Sequence, residues 1–209
     1  TIAPFNFDVE NTNWSAIGVT DQASFQSFMM STFTNMSSII ASDFSIVNNG
    51  AIKCNIVCTP SGSTHNINWA SKGITKFNSL SGLSMATYLV ASTNNITEMA
   101  AFEPLVNLIA IELQGNPITA FKGLNTCINL IHIDVHDCAI ATIASMPALT
   151  QVDSLEISGN LITTAQWDNL NPWAIAVVPG GQISTLLNTN PITTSITNTT
   201  LSGKGWTII

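Results

Sequence analysis

Apolar positions recur along this chain with a fixed period. Residues 108–118 follow the pattern L-x-x-I-x-L-x-x-N-x-I, and residues 130–140 and 152–162 repeat it with similar residues in most slots. A degraded copy begins at Ile67 and carries Lys72 in the polar slot. In the better copies the polar slot holds, at equal intervals, Asn94, Asn116, Cys138 and Asn160. A fixed period of this length predicts a stack of repeated structural units.

Each repeat is predicted to contribute one short strand, such as residues 111–113, followed by a turn and a return segment. Apolar residues alternate with polar ones in the strand, so the apolar side chains point inward and stacking joins them into one core. The asparagine amide after the strand is expected to satisfy main-chain groups of its own turn and of the next coil. Cys138 is expected to replace it as a small buried group with a weak donor. Because the returns are short, we expect extended or 3₁₀ segments there and no long helices.

Residues 67–162 resemble the leucine-rich repeat proteins in their apolar positions and asparagine slot. The resemblance implies an α/β leucine-rich repeat solenoid with a parallel sheet on its concave face and short outer returns. It also implies that the concave face is used as an interaction surface. The fold itself brings no enzymatic activity. We therefore assign residues 63–163 to leucine-rich repeats.

The pattern widens after residue 163. Asn190 resembles the asparagine of the earlier repeats, but it follows Asn160 at a longer interval than the one between Asn116 and Cys138. Within this longer stretch, Thr164 is expected to cap a helix that reaches Val177 and is interrupted by Pro172. The last five residues are typical of a strand. Residues 164–209 are thus predicted to form a broadened last repeat and a C-terminal cap of helix and strand, which covers the open end of the stacked core.

Residues 1–62 are predicted to form an N-terminal cap or attachment region that combines a helix with a β-hairpin. Asp21 can cap the helix, and residues 44–47 and 52–57 flank an Asn-Asn-Gly turn. The helix carries an apolar stripe made of Phe25, Phe28, Met29 and Phe33. This stripe either faces the core as part of the cap or mediates self-association and attachment. A separate small domain is the alternative, but no linker rich in Gly, Ser or Pro precedes the repeats.

Charge argues against several classes of partner. Only 8% of the 209 residues are charged, with 5 Lys+Arg and 12 Asp+Glu, and the formal net charge is −7. Nucleic-acid binding requires a basic surface, so we expect none. No apolar run is long enough to insert into a membrane, and no signal peptide is visible. Since the chain begins at Thr1, removal of an initiator methionine or a leader is possible. The surface must be built mainly from Ser, Thr and Asn, which is typical of virion, cell-surface and secreted proteins.

The four cysteines do not predict a metal site. Cys54 and Cys58 are close in sequence on one expected strand, with no second pair at a zinc-binding distance. Cys127 is predicted to lie on a return segment, and Cys138, in the asparagine slot, is expected to be a buried free thiol. A disulfide framework is the less favoured alternative.

The repeat register also predicts which side chains point away from the core. Glu112, Asp134 and Glu156 fall on neighbouring strands about 4.8 Å apart. Like charges at this spacing require compensation by solvent, a cation, a basic partner or the neighbouring histidines. His132 and His136 lie about 13 Å apart along one strand, so they are not expected to share a metal ion. The candidate binding residues are Tyr88, Glu112, Gln114, His132, Asp134, His136 and Glu156. The alternative is an ordinary solvated acidic surface.

Enzyme motifs are absent from the sequence, which contains no G-x-S-x-G, P-loop, H-E-x-x-H or dinucleotide-binding pattern. We expect a non-enzymatic interaction module that needs no cofactor and binds protein partners or a host-surface glycan or protein, with homo-oligomerisation as a further possibility. Residues 181–191, G-x-I-S-T-x-x-N-x-N-P, and the K-G-W-T-I segment at 204–208 resemble the C-terminal end of repeat proteins from phages of Bacteroidetes-type hosts. That resemblance implies a virion component, such as a head fibre, a capsid decoration protein or a tail fibre, and a virion or extracellular location.

Two alternatives remain. One is a secreted bacterial, adhesin-like domain for ligand recognition. The other is a cation-dependent glycan binder, in which the acidic row holds calcium and exposed tryptophans stack on sugars. Trp69 and Trp206 are expected to be packing residues instead.

Overall fold

The N-terminal part of the chain forms a three-stranded antiparallel sheet in the order β1-β3-β2. Its strands are β1 (Phe5–Val9), β2 (Met36–Ile46) and β3 (Ile52–Pro60). The computed structural model describes residues 5–9, 21–32, 36–46, 52–60, 66–71, 73–75, 80, 84–143, 149–185 and 195–209. The predicted hairpin is confirmed as the β2–β3 pair, although both strands are longer than expected. The turn residues 48–50 lie outside the described residues, and β1 was not predicted.

Helix α1 (Gln22–Thr32) lies between β1 and β2 in the chain. Asp21 caps it as predicted: the Ser24 main-chain N–H donates to Asp21 Oδ1 over 2.8 Å. This hydrogen bond and a second one from the Ser24 hydroxyl hold the pKa of Asp21 below its usual value. Phe25 and Met29 are fully buried in the hydrophobic core, and Phe28 packs partly against it.

The predicted attachment stripe is therefore not exposed at Phe25 and Met29, because both side chains are buried within the chain itself. Their burial favours the core-facing role. Phe33, the fourth member of the stripe, lies outside the described residues.

In the part of the chain that the structure describes, nine short strands follow. They are β4 (Asn66–Asn68), β5 (Tyr88–Val90), β6 (Ala110–Glu112), β7 (Ala120–Phe121), β8 (His132–Asp134), β9 (Thr142–Ile143), β10 (Ser154–Glu156), β11 (Gln182–Ser184) and β12 (Thr207–Ile208). Seven of them form one sheet in the order β4-β5-β6-β8-β10-β11-β12, and each neighbouring pair is parallel.

One column of core side chains runs through this sheet in the predicted register. Leu89 is paired with Ile111, Ile111 with Ile133, and Ile133 with Leu155. All four are fully buried. The predicted fold is confirmed: the chain is an α/β leucine-rich repeat solenoid.

The return segments on the other side of the coils are short, as predicted. Residues Ala100–Phe102 form a 3₁₀ turn, and β7 and β9 form a separate two-stranded parallel sheet in which Phe121 pairs with Ile143. Phe102, Phe121 and Ile143 are all buried in the core.

The asparagine slot holds neighbouring coils together. The Asn116 amide donates to the main-chain oxygens of Leu113 over 2.7 Å and Ala91 over 2.9 Å, and its oxygen accepts the Ile96 N–H over 3.0 Å. Asn94 and Asn160 form the same kinds of contact. In each case the second coil is the preceding one, whereas the sequence led us to expect the next one.

Cys138 fills the same slot with fewer contacts. Its thiol donates to the Leu113 oxygen over 3.5 Å. The Ile118 N–H, which an asparagine at 138 would bind, donates instead to the main-chain oxygen of Asn116 over 2.8 Å. The cysteine is tolerated because the Ile118 N–H still has an acceptor.

A left-handed residue precedes the polar slot in five successive coils. The φ angles lie between 50° and 69° at equivalent positions of successive repeats, namely Ser71, Thr93, Gly115, Asp137 and Gly159. Two of these positions are glycine, which adopts this region without strain. The sharp turn after the strand thus depends on backbone geometry that the apolar pattern does not reveal.

The broadened last coil contains three helical pieces where one interrupted helix was predicted. They are α2 (Thr164–Trp167), a 3₁₀ turn (Asp168–Leu170) and α3 (Asn171–Ala176). The cap is Thr163 and not Thr164, since the Thr163 side chain accepts the Gln166 N–H. Pro172 does not break a helix; it lies in the first turn of α3, where its missing N–H costs nothing.

The C-terminal cap of helix and strand is confirmed, with a corrected register. β11 pairs with β10 so that Ile183 aligns with Leu155. The interval from Asn160 to Asn190 would have aligned Thr185 with Leu155 instead. The Asn190 motif that suggested this longer step lies outside the described residues. Helix α4 (Ile196–Gly203) follows, capped by Ser195, and β12 closes the sheet against β11.

Candidate binding surface on the sheet

Every other residue of the parallel sheet points away from the core, and we call the surface they form the sheet face. Its first row runs Asn66, Tyr88, Ala110, His132 and Ser154, and its second row runs Asn68, Val90, Glu112, Asp134 and Glu156. The five predicted binding residues in these two rows therefore lie where the repeat register placed them. Gln114 and His136 follow shortly after Glu112 and Asp134, beyond the paired positions.

Tyr88 and Glu112 are joined across neighbouring strands. The Tyr88 hydroxyl donates a hydrogen bond to Glu112 Oε1. This bond, together with desolvation and the negative charges of Glu112 and Asp134, raises the pKa of Tyr88 from 10.0 to about 12. The tyrosine thus stays protonated and supplies a neutral donor to the first carboxylate of the acidic row.

Asp134 is the most buried acid of the row, with 9% of its surface exposed. Its Oδ1 accepts the His136 main-chain N–H over 3.1 Å and lies 2.7 Å from His136 Nδ1. His136 also lies 3.9 Å from Asp137, whose side chain is largely exposed. Part of the compensation that the acidic row requires therefore comes from the neighbouring histidine, one of the alternatives that the sequence left open.

Glu156 remains the most available acid. Among the described residues, no hydrogen bond or ion pair involves its carboxylate. His132, on the neighbouring strand, contacts Ser154 Oγ through Nδ1 over 2.9 Å and not an acid. Gln114 Oε1 is buried without a hydrogen-bond partner within the described part of the chain. The face thus offers one free carboxylate, an acceptor that a partner's donors can satisfy.

Fixed positive charge is missing from the sheet face within the described ranges. Lys122 follows β7 on the return side of the coil. The Lys204 ammonium donates to the main-chain oxygens of Ile175 and Val177 in the C-terminal cap. The described part of the face carries Glu112, Asp134 and Glu156 with histidine as the only basic neighbour.

Metal binding finds no support in the described residues, where no group of three or more His, Cys, Asp and Glu side chains is arranged to hold an ion. His132 contacts Ser154, and His136 contacts Asp134.

The two described cysteines of the repeats are free thiols; Cys127 is buried, whereas Cys138, predicted to be buried, is only partly so. Burial raises the pKa of Cys127 to about 11 and raises that of Cys138. Neither is suited to nucleophilic chemistry, because the reactive form is the thiolate.

The tryptophans in the described ranges do not provide a platform for sugars. Trp69, Trp167, Trp173 and Trp206 are each at most 5% exposed. In the last coil, the indole N–H groups of Trp167, Trp173 and Trp206 donate to Asn198, Leu149 and Val178. These rings hold the C-terminal cap together, so a stacking role in glycan binding is excluded for them in this structure.

The repeat pattern predicted the rows of the sheet face but not three of its contacts. The Tyr88–Glu112 and His132–Ser154 bonds depend on side-chain rotamers. The proximity of Asp137 to His136 depends on the left-handed turn.

None of the described helices is long and apolar enough to cross a membrane.

Comparison with known proteins yields similar folds and no relative by sequence. No protein-family model matches the chain, and no curated protein matches it. Among solved structures it is similar to an internalin C2 from Listeria monocytogenes, with 23% identity and a TM-score of 0.47 over 61% of this chain and 50% of that one. A second internalin of that species, inlF, shows 12% identity and a TM-score of 0.44, over 73% of this chain and 49% of its own. The chain thus spans about half the length of each internalin, and its role must be argued from its own residues.

Proposed function

We propose that this chain is a non-enzymatic interaction module that binds a protein partner through the sheet face. The observation that carries the proposal is the register that aligns Glu112, Asp134 and Glu156 on three adjacent strands, with no lysine beside them in the described residues. An acidic row of this kind favours a partner with basic side chains, which gain charge-assisted hydrogen bonds there.

The acceptor groups define the chemistry of the partner more closely. Glu156, whose carboxylate is unpaired among the described residues, is partly exposed. Tyr88 and His136 fix the other two acids of the row in place, so a partner meets preorganised acceptors and loses little entropy in ordering them. Lysine and arginine side chains fit this surface, whereas another acidic surface does not.

For the biological setting, we propose a phage virion component, such as a head fibre, capsid decoration or tail-fibre protein, that attaches to virion partners or a host surface. Its support is the low content of charged residues, the surface of Ser, Thr and Asn, and the resemblance of the C-terminal segment to phage repeat proteins. A secreted, adhesin-like domain is the competing setting. Neighbouring portal and terminase genes would support the virion, and a surface-sorting signal in the full reading frame would support the secreted protein.

Site-specific cross-linking tests the use of the sheet face. A photoreactive residue at Glu156 is compared with the same residue at Thr119, an exposed position on the return side of the coil. We expect one partner to be captured from Glu156 and not from Thr119, and its cross-linked peptide to contain lysine or arginine. Capture that is equal at both positions, or a partner peptide without basic residues, would contradict the proposal.

A further inference from the structure

A histidine lies between two carboxylates just after β8. His136 Nδ1 is 2.7 Å from Asp134 Oδ1, and His136 Nε2 is 3.9 Å from Asp137 Oδ2. The His136 side chain is 37% exposed, so protons from solvent reach the ring. Neutral imidazole carries a proton on one ring nitrogen, whereas imidazolium carries one on each. The ring can therefore form a charged contact with both acids only after it takes up a second proton.

The left-handed turn holds Asp137 beside this ring. Asp137 has a φ of 50°, and its main-chain N–H donates to the Ser158 oxygen over 2.9 Å. Its carboxylate lies over Gly159 of the following coil, where an added Cβ would come within 2.1 Å of Asp137 Oδ1. The equivalent residue of the preceding coil is Gly115, which also has no side chain. Backbone geometry and two glycines thus leave room for the second carboxylate next to His136.

The other titratable groups near the ring are acids or neutral donors. Glu112 on β6 and Glu156 on β10 flank Asp134 on its two neighbouring strands. Tyr88 has a pKa of about 12, and burial raises the pKa of the Cys138 thiol. Of the side-chain types present, histidine is the one whose ordinary pKa allows a change of charge between about pH 5 and about pH 8.

The second histidine of the sheet face has different neighbours. His132 Nδ1 contacts Ser154 Oγ over 2.9 Å. The residues paired with His132 on the adjacent strands are Ala110 and Ser154, and neither is charged. Within the described residues, no carboxylate contacts its ring. The third histidine, His65, lies outside the described residues. Of the two described histidines, His136 is thus the one placed to offset the charge of the acidic row.

We propose that His136 makes binding at the sheet face sensitive to pH, because a proton on its ring offsets the charges of Asp134 and Asp137. This inference rests on the proposed function of the sheet face. With a neutral ring, the row presents its full negative charge to a lysine or arginine of the partner. With imidazolium present, the ring competes for Asp134 and repels the partner's cation. The affinity for a basic partner should therefore fall as the pH falls.

Binding of an oligolysine peptide to the full chain tests the proposal. Calorimetry measures the affinity at about pH 7.5 and at about pH 5.5. Lysine remains protonated over this range, so a change in affinity arises from the protein. The wild type is expected to bind about fivefold more weakly at the lower pH, since one unit charge at contact distance in water corresponds to about this factor.

His136→Asn is the decisive variant, because its amide keeps an N–H near the position of Nδ1 and takes up no proton. It should bind the peptide like the wild type at the higher pH and keep that affinity within about twofold at the lower pH. His132→Asn is the matched control. It makes the same exchange on the same coil and should retain most of the wild-type dependence on pH.

The outcomes separate this inference from the proposed function. Wild-type binding that is equal at the two pH values would overturn the role of His136. So would a His136→Asn variant that keeps the full dependence, or a His132→Asn variant that loses it. In each of these cases the peptide still binds, and the proposed function stands. Absence of binding at both pH values, or binding that Glu112→Gln with Glu156→Gln does not weaken, would overturn the proposed function and this inference with it.

Discussion

At the scale of single residues, Tyr88 offers a direct readout of the sheet face because it is the chain's one tyrosine. Its pKa of about 12 arises first from the hydrogen bond to Glu112. We predict that Glu112→Gln lowers the pKa of Tyr88 towards 10.0, the ordinary value of the group. Ultraviolet absorbance of the phenolate during a pH titration measures it, and Glu156→Gln is the control that should leave the pKa near the wild-type value. An unchanged pKa in Glu112→Gln would contradict the contact.

The raised pKa of Tyr88 determines how the stability of the fold depends on pH. The folded protein holds the phenol proton more tightly than the unfolded chain does. The contact therefore stabilises the fold fully below pH 10, and this contribution is lost as the pH rises through about 12.

Substitutions at two positions of the asparagine slot should lower the free energy of unfolding by different amounts. Asn116→Ala removes three hydrogen bonds and leaves the Ile96 N–H without its acceptor, so we expect a loss of about 2–3 kcal/mol in the free energy of unfolding. Cys138→Ala should cost about 1 kcal/mol or less, because its one bond is long and the Ile118 N–H already has another acceptor. Urea denaturation compares the two, and equal losses would refute the assigned role of the slot.

Features at the scale of single residues could be predicted from the sequence where the same contact recurs in successive repeats. They could not be predicted where the backbone conformation determines the local structure. The asparagine slot was visible because an amide must serve buried main-chain groups after each strand. The left-handed residue just before it was not, because Ser71 and Thr93 carry no signature of a positive φ. The glycines at 115 and 159, and Asp137, could have indicated it.

At the scale of elements, the column of buried strand residues is the feature most open to test. Ile133 is fully buried between Ile111 and Leu155. Ile133→Asp should unfold the protein, since an unpaired buried carboxylate costs several kcal/mol. Thermal unfolding followed by circular dichroism measures it, with Leu161→Asp at an exposed position as the control. A variant at Ile133 with the wild-type midpoint would refute the register.

The elements that the sequence predicted well are those set by the repeat period, namely β4 to β6, β8 and β10. The last coil was predicted less well because the longer insertion breaks that period. Asn190 looked like the next repeat, yet Ile183 is the residue that aligns with Leu155. Helix α1 shows the other limit: its apolar stripe was clear, but its burial depends on what packs against it.

At the scale of the whole molecule, the sequence predicted the rows of the sheet face and their acidity but not how the charges are compensated. Tyr88 and His136 compensate two of these charges through side-chain contacts between and within strands. An inward-facing register describes the core and leaves exposed apolar residues such as Ile109 and Ile131 unassigned.

We propose that the acids of the sheet face bind a basic partner. The affinity of the cross-linked partner should be measured for two double variants with the same change in charge. Glu112→Gln with Glu156→Gln should weaken binding by about tenfold or more and reduce its dependence on salt. Glu98→Gln with Glu103→Gln, which lie off the sheet face, should leave the affinity within about twofold of the wild type. Equal effects of the two pairs, or no effect of the first, would contradict the claim.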